Sequence, residues 1–176
     1  WSVANGQIDL AIIGGQLPSD LENLLQVIPY ATDELALVLP SKHQLSNKKE
    51  LLKEDLYKLN FVSLDTQSTT RKVVDKLLQD SGLDIQRLKI EMELNSLEAI
   101  KNAVQSGLGA SFVPVVSIER ELAAGTIHKA FVADLEVKRE LKLITNPSRY
   151  TSRASEVFKK KILPQFASLE SPLRQI

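Results

Sequence analysis

Residues 91–114, EMELNSLEAIKNAVQSGLGASFVP, constrain the fold more than any other stretch, because the apolar period changes there from strand-like to helical and back. Ile90, Met92 and Leu94 alternate with Glu91 and Glu93, which predicts a strand ending at Leu94. Asn95 followed by Glu98 has capping-box spacing: a side-chain oxygen takes one orphan backbone N–H and the glutamate reaches back to another. A helix is expected from there, with Leu97, Ile100, Ala103 and Val104 on one face and Glu98, Lys101, Asn102 and Gln105 on the other. Gly107 supplies the positive φ that closes it, Gly109 permits a tight passage, and Ala110 to Val113 runs into Pro114 as a second strand, expected to be parallel.

Two parallel strands joined by a helix imply a right-handed crossover and an open α/β sheet, whose ligands sit beyond the carboxyl ends of the strands. Asn95, Ser96, Val113 and Pro114 are thereby placed at a cleft edge. The rest of the chain supplies similar pieces. Trp1 to Asn5, then Gly6, reads as the last turn of a helix, so the chain is expected to be a fragment joining a fold already under way. Ile8 to Ile13 reads as a buried strand, Leu17 to Pro29 as a loop with a short amphipathic segment, and Leu35 to Pro40 as a strand. Ser46 is placed to cap a helix through about Leu56, with Leu51, Leu52 and Leu56 inward. Phe61, Val62 and Leu64 form a strand, and Val73, Val74, Leu77 and Leu78 a helix ended by Ser81-Gly82. A helix over Val115 to Ala124, stopped by Gly125, precedes extended segments at Ile127 to Phe131 and Leu135 to Thr145, of which Leu141 to Thr145 is the returning strand. Ala154, Val157, Phe158, Ile162 and Phe166 mark a terminal helix that Pro164 must bend or end, and the tail after Ala167 has no pattern.

The turn Asp65-Thr66-Gln67-Ser68-Thr69-Thr70 carries the chemistry. Strand end, hydroxyl cluster and helix start together present free N–H groups and O–H donors where the helix dipole is positive, which suits an anion, and Arg71 is placed to add a full charge. The other reading of the same residues is that Ser68 is a cap and the remaining hydroxyls are solvated. Gly14-Gly15 by itself reads as a tight turn.

Much chemistry is excluded. With 22 basic and 22 acidic residues, no global field holds this chain on nucleic acid or an anionic membrane. No cysteine is present, which excludes disulfides and thiolate sites. His43 and His128 lack partners at ligand spacing, and no phosphate loop, nucleophile elbow or complete dinucleotide fingerprint occurs. Glu91 and Glu93 read as an exposed strand face rather than as an acid–base pair. No enzyme, metal or cofactor is therefore expected.

Val104, Gly107, Gly109, Phe112, Val113 and Pro114, with Gly6-x-x-Asp9-Leu10-Ala11-Ile12 and the DELALVLPSKHQL segment of residues 33–45, resemble the effector-binding domain of LysR-type transcriptional regulators. Residues 64–73 and 91–109 look most like the regulators of RuBisCO operons in cyanobacteria and algal plastids. The resemblance implies two Rossmann-like subdomains joined by two crossover strands, the periplasmic-binding-protein-like type II arrangement. Residues 1–40 with 139–176 would form subdomain I, N-terminally truncated, and residues 41–138 subdomain II. It implies effector-binding roles for Gly14, Gly15, Thr66, Gln67, Ser68, Thr69, Asn95, Ser96 and Val113. The implied effector is a small anionic metabolite of the sugar phosphate, phosphoglycolate or 2-oxoglutarate class, which closes the lobes to control carbon-fixation genes. Also implied are a homodimer or homotetramer touching through residues 71–79, DNA contact only through a helix-turn-helix domain absent here, and a cytoplasmic or plastid-stroma location. A solute-binding protein of a transport system shares this architecture and is the alternative.

Overall fold

The computed structural model describes residues 1–167, so the tail after Ala167 lies outside the described residues. In chain order the elements are β1 (Leu10–Ile13), β2 (Gln26–Pro40), β3 (Asn60–Leu64), α1 (Thr69–Asp80), β4 (Lys89–Leu94), α2 (Leu97–Gln105), β5 (Ser111–Pro114), α3 (Glu119–Ala123), β6 (Ile127–Ala130), β7 (Lys138–Thr145) and α4 (Arg153–Ala167). They form two compact units, Trp1–Thr32 with Glu140–Ile176, and Asp33–Arg139, so both boundaries fall inside strands, in β2 and in β7.

In the first unit, residues 1–6 make a helical turn in which Asn5 N–H donates to Trp1 O at 2.9 Å. β1 pairs antiparallel with β7, from Leu10 opposite Thr145 to Ile13 opposite Lys142. Val3, Ala4, Leu21, Leu25 and Ile144 form the core. The strand expected to be buried is not: Ile8 and Ile12 are 47% and 42% exposed, and β1 hydrogen-bonds along one edge only among the described residues. Asp9 fixes the start of α4 by accepting from the hydroxyls of Ser152 and Ser155 and from Ser152 N–H at 3.2 Å. Those bonds, the Ser152 hydroxyl foremost, hold its carboxyl below the usual carboxylate range. α4 continues through Pro164 to Ala167, since a proline removes only one ladder bond near a helix end.

The second unit is organised around β3. It pairs in parallel with β4, from Asn60 opposite Lys89 to Leu64 opposite Leu94. On its other edge it meets Ala110 in a parallel bridge, where Val62 N–H donates to Ala110 O at 2.9 Å. β5 then runs antiparallel to β2, with Leu35 opposite Pro114, and β6 pairs with β2 further along, with Pro40 opposite Ile127. The second strand of the 91–114 unit is thus parallel to the first, but β3 lies between them.

The crossovers β3–α1–β4 and β4–α2–β5 run in opposite directions, and right-handed connections then put their helices on opposite faces. Strand alternation follows suit. Leu35, Leu37, Leu39 and Phe61 pack with Val74 and Leu78 of α1, whereas Val38, Val62 and Val113 pack with Ile100, Ala103 and Val104 of α2.

Two glycines allow the return. Gly107 closes α2 at φ +84, with its N–H on Val104 O and Leu108 N–H on Ala103 O, both at 3.0 Å. At Gly109 the chain passes so close to β3 that a Cβ would lie 2.7 Å from Asn60 O.

Three expectations are corrected. Residues 46–56 form no α-helix; short 3-10 helices at Gln44–Asn47 and Lys53–Lys58 flank an extended Leu51. Ser46 donates its hydroxyl back to Ser41 O and His43 O instead of capping forward, Leu51 N–H donates to Phe131 O at 2.8 Å, and Leu52 is 60% exposed. Residues 115–124 break into Val115–Ser117 and α3 at Ile118, whose φ of −120 is not helical. Lys101 is buried, not solvated, because its three ammonium donors find Glu98 at 2.8 Å, Glu121 at 2.9 Å and Ser117 O at 3.1 Å.

Asp55 is the buried charge with the plainest pH consequence. Lys58 at 2.9 Å, then Leu52 N–H at 3.1 Å and Lys48 at 3.2 Å, push its carboxyl down to about 2. A depressed carboxyl stabilises the fold above its unfolded value, 3.8, and that contribution is lost as pH falls through about 2. Urea denaturation of Asp55→Asn should show its largest deficit against the parent at neutral pH and a narrowing gap between those two values. Gly109→Ala should cost about 1–3 kcal/mol in the same assay, because the contact is with backbone that must shift.

Candidate functional site

Leu64 and Leu94 end neighbouring parallel strands in register, so the turns after them lie side by side, and Asp65 N–H donates to Leu94 O at 3.1 Å. Two helices start here. Ser68 caps α1, its hydroxyl accepting from Arg71 N–H at 3.5 Å, and Ser96 caps α2 through Ala99 N–H at 3.4 Å. Ser96, not Asn95, is therefore the cap. Its extended backbone, φ −137 and ψ 133, aims the hydroxyl into the first turn, and Glu98 reaches forward to Lys101 rather than back.

Asp65 shapes the turn from within. Its Oδ1 accepts from Gln67 N–H at 2.9 Å and Ser68 N–H at 3.2 Å, so neither amide is left for an anion. Among the described residues no acceptor takes the N–H of Thr69, Thr70, Leu97 or Glu98, the first amides of the two helices. Thr66, Gln67, Thr69, Asn95 and Ser96 are exposed and Ser68 is half-buried. This edge offers an acceptor ligand helix-start amides, hydroxyls and a carboxamide.

Arg71 does not supply the expected charge. Its Nε lies 2.8 Å from Asp75 Oδ2, and its Nη1 donates to Leu64 O at 3.1 Å and Glu93 Oε1 at 3.2 Å. It ties α1 to β3 and β4. Val113 is fully buried between β2 and α2, so its side chain packs the core. Gly14 and Gly15 follow β1 in the first unit, both half-buried.

One residue at this edge, Arg139, escaped the sequence reading. The Thr70 hydroxyl accepts from Arg139 Nη1 at 2.9 Å, and Arg139 also pairs with Asp33 at 2.7 Å. Arg139 looks like any exposed lysine-rich strand position in sequence, and only the pairing of β2 with β7 brings it to α1. Among the described residues no group of three or more His, Asp or Glu is placed to hold a metal, and no helix is long and apolar enough to cross a membrane.

A family model described as "LysR substrate binding domain" matches residues 1–167. The probable RuBisCO transcriptional regulator of Synechocystis sp. is 58% identical over 168 residues, covering 96% of this chain and 49% of that protein. That of Porphyra purpurea is also 58% identical, covering 96% of this chain and 53% of that protein. The chain thus spans about half the length of the curated relatives it matches. Among solved structures, the Synechocystis CcmR regulatory domain in complex with 2-PG superposes with a TM-score of 0.80 at 22% identity, covering 94% of this chain and 76% of that one. The effector binding domain of QuiR in complex with shikimate gives 0.78 at 22% identity, covering 95% and 76%. At such identity the likeness is one of fold, a mixed α/β fold of the LysR substrate-binding, periplasmic-binding-protein-like type II kind.

The two caps can be told apart by stability alone. Ser96→Ala should lower the unfolding free energy by about 1 kcal/mol, whereas Asn95→Ala, which removes no cap, should stay within about 0.5 kcal/mol of the parent in thermal denaturation.

Proposed function

The chain belongs to the LysR substrate binding domain family, and from that membership we propose that it is the sensing domain of a transcriptional regulator answering to a small anionic carbon metabolite. The observation that carries this is the pair of helix starts at the carboxyl ends of β3 and β4, with unclaimed amides at Thr69, Thr70, Leu97 and Glu98. Fixed donors and a positive dipole end favour a carboxylate or phosphate, so the proposed role is binding. The relatives at 58% identity are named as regulators of RuBisCO transcription, which supports carbon-fixation genes as the target and leaves the transport alternative without support. CcmR, alike in fold, was solved with 2-PG, which makes phosphoglycolate the first ligand to try.

Thr66, Gln67, Ser68, Thr69, Asn95 and Ser96 are the proposed effector contacts in the 33–139 unit, with Gly14 and Gly15 in the other and Val113 contributing through backbone alone. A ligand that prefers one arrangement of the two units over another shifts their population, and nothing more is needed for a signal. DNA contact belongs to a helix-turn-helix domain outside this chain, and the protein works in the cytoplasm or plastid stroma. Self-association as a homodimer or homotetramer is proposed on kinship alone. The apolar stripe of α1 is no argument for it, since Val74 and Leu78 are buried and Leu77 packs against the same core.

Thr69 is the residue to test, because its hydroxyl is exposed and caps nothing. A hydrogen bond to a charged group is worth about 1.5–3 kcal/mol, so Thr69→Ala should weaken phosphoglycolate binding roughly tenfold to a hundredfold in calorimetry. Its melting temperature should match the parent's. Unchanged affinity in Thr69→Ala would remove this turn from the site.

A further inference from the structure

We propose that Arg139 is a positioning residue that couples a ligand held at the start of α1 to the two stretches of chain joining the units. Asp33 is the first residue of the 33–139 unit and Arg139 the last, so each is bonded covalently to a residue of the other unit. Within their own unit the two are clamped together. Arg139 Nε and Nη2 approach Asp33 Oδ2 at 2.9 and 2.7 Å, and the side chains are only 13% and 10% exposed. The remaining nitrogen, Nη1, donates to the Thr70 hydroxyl at 2.9 Å.

Thr70 stands in the first turn of α1, beside Thr69, and its own amide has no acceptor among the described residues. The coupling rests on the reading that an anion is held by these amides. A β-branched side chain is stiff at χ1, so a ligand that shifts the backbone at Thr70 carries the hydroxyl with it. The guanidinium is a planar fork. It cannot turn to follow Thr70 without misaligning its hydrogen bond and close ion pair to Asp33. Ligand occupancy and the hold on both joining stretches are thus alternatives for one rigid group. Linkage requires the effect to be reciprocal: loosening the clamp must also alter the start of α1.

Hydrogen exchange on the full-length protein tests this, with and without phosphoglycolate, on Thr70→Val, Thr70→Ser and Arg139→Gln. Without ligand, Thr70→Val should speed exchange in residues 30–34 and 138–141 by on the order of tenfold, the loss of one hydrogen bond from a charged donor. Thr70→Ser keeps the hydroxyl and should restore parental rates, which a packing defect would not allow. Arg139→Gln should speed exchange at residues 69–72. Parental rates in both joining stretches of Thr70→Val would overturn the proposal. With phosphoglycolate, the parent should gain protection at 69–72 and change in both joining stretches, while Thr70→Val keeps the first response and loses the second. An equal response in Thr70→Val would also overturn it. Absence of any phosphoglycolate response in the parent would instead remove phosphoglycolate as the effector, and the ligand-free comparison would still decide the coupling.

Discussion

Phe61 and Val62 are neighbours on β3 that face opposite ways, and the second unit depends on both being buried. Phe61 sits among Leu37, Val74 and Leu78, and Val62 among Val38, Ile100 and Val104. Complete burial of such a side chain is worth about 1.5–3 kcal/mol, so neither face can be left to solvent without losing a large part of a typical domain's stability. Helices on both faces require crossovers in opposite directions from a central strand, and that geometry brings both helix starts to the same strand end. The candidate site is therefore a by-product of two-sided packing. Its donors are backbone groups that any such sheet leaves there, and the chain's choice of Ser, Thr and Asn around them gives the edge its chemistry.

Full charges take almost no part in that chemistry. Arg71 is held by Asp75 and Glu93, Lys101 by Glu98 and Glu121, and Asp55 by Lys48 and Lys58. With no net charge to steer a ligand from afar, an anion is attracted only within the first helical turn, where the dipole and the amides act. Such a site discriminates by where acceptors sit rather than by how negative the ligand is. Asp65 sharpens this by taking two of the amides itself, so a ligand oxygen placed one residue too early would meet a carboxylate.

The sequence was legible where local chemistry had one solution. Period-two and helical stripes located β3, β4, α1 and α2, and Gly107 and Gly109 sit where a helix must end and a strand must pass close. It misled where two neighbours offered the same chemistry, as with Asn95 and Ser96, either of which can cap; the extended backbone at Ser96 decides. It also misled where partners lay far away. Leu51 looked helical by spacing but is claimed by Phe131, and Lys101 looked exposed but meets Glu121 and Ser117 from another element. At the site, the hydroxyl turn was visible, whereas the occupation of Arg71 and the reach of Arg139 to Thr70 depend on strand neighbours that no local pattern records.

The Asp33–Arg139 pair is poorly explained as a stabiliser. Burying two charges carries a desolvation cost that their attraction only partly offsets, and replacing such pairs by apolar residues is often neutral or stabilising by about 1–4 kcal/mol. An apolar pair at the same place would hold β2 to β7 at least as well. What it would lack is a directional third bond. The fork of Arg139 fixes the angle between Asp33 and Thr70, so the pair specifies one arrangement of the joining strands relative to α1 rather than merely favouring contact. A charge pair whose strength is ordinary but whose geometry is exclusive suits the coupling proposed for Arg139.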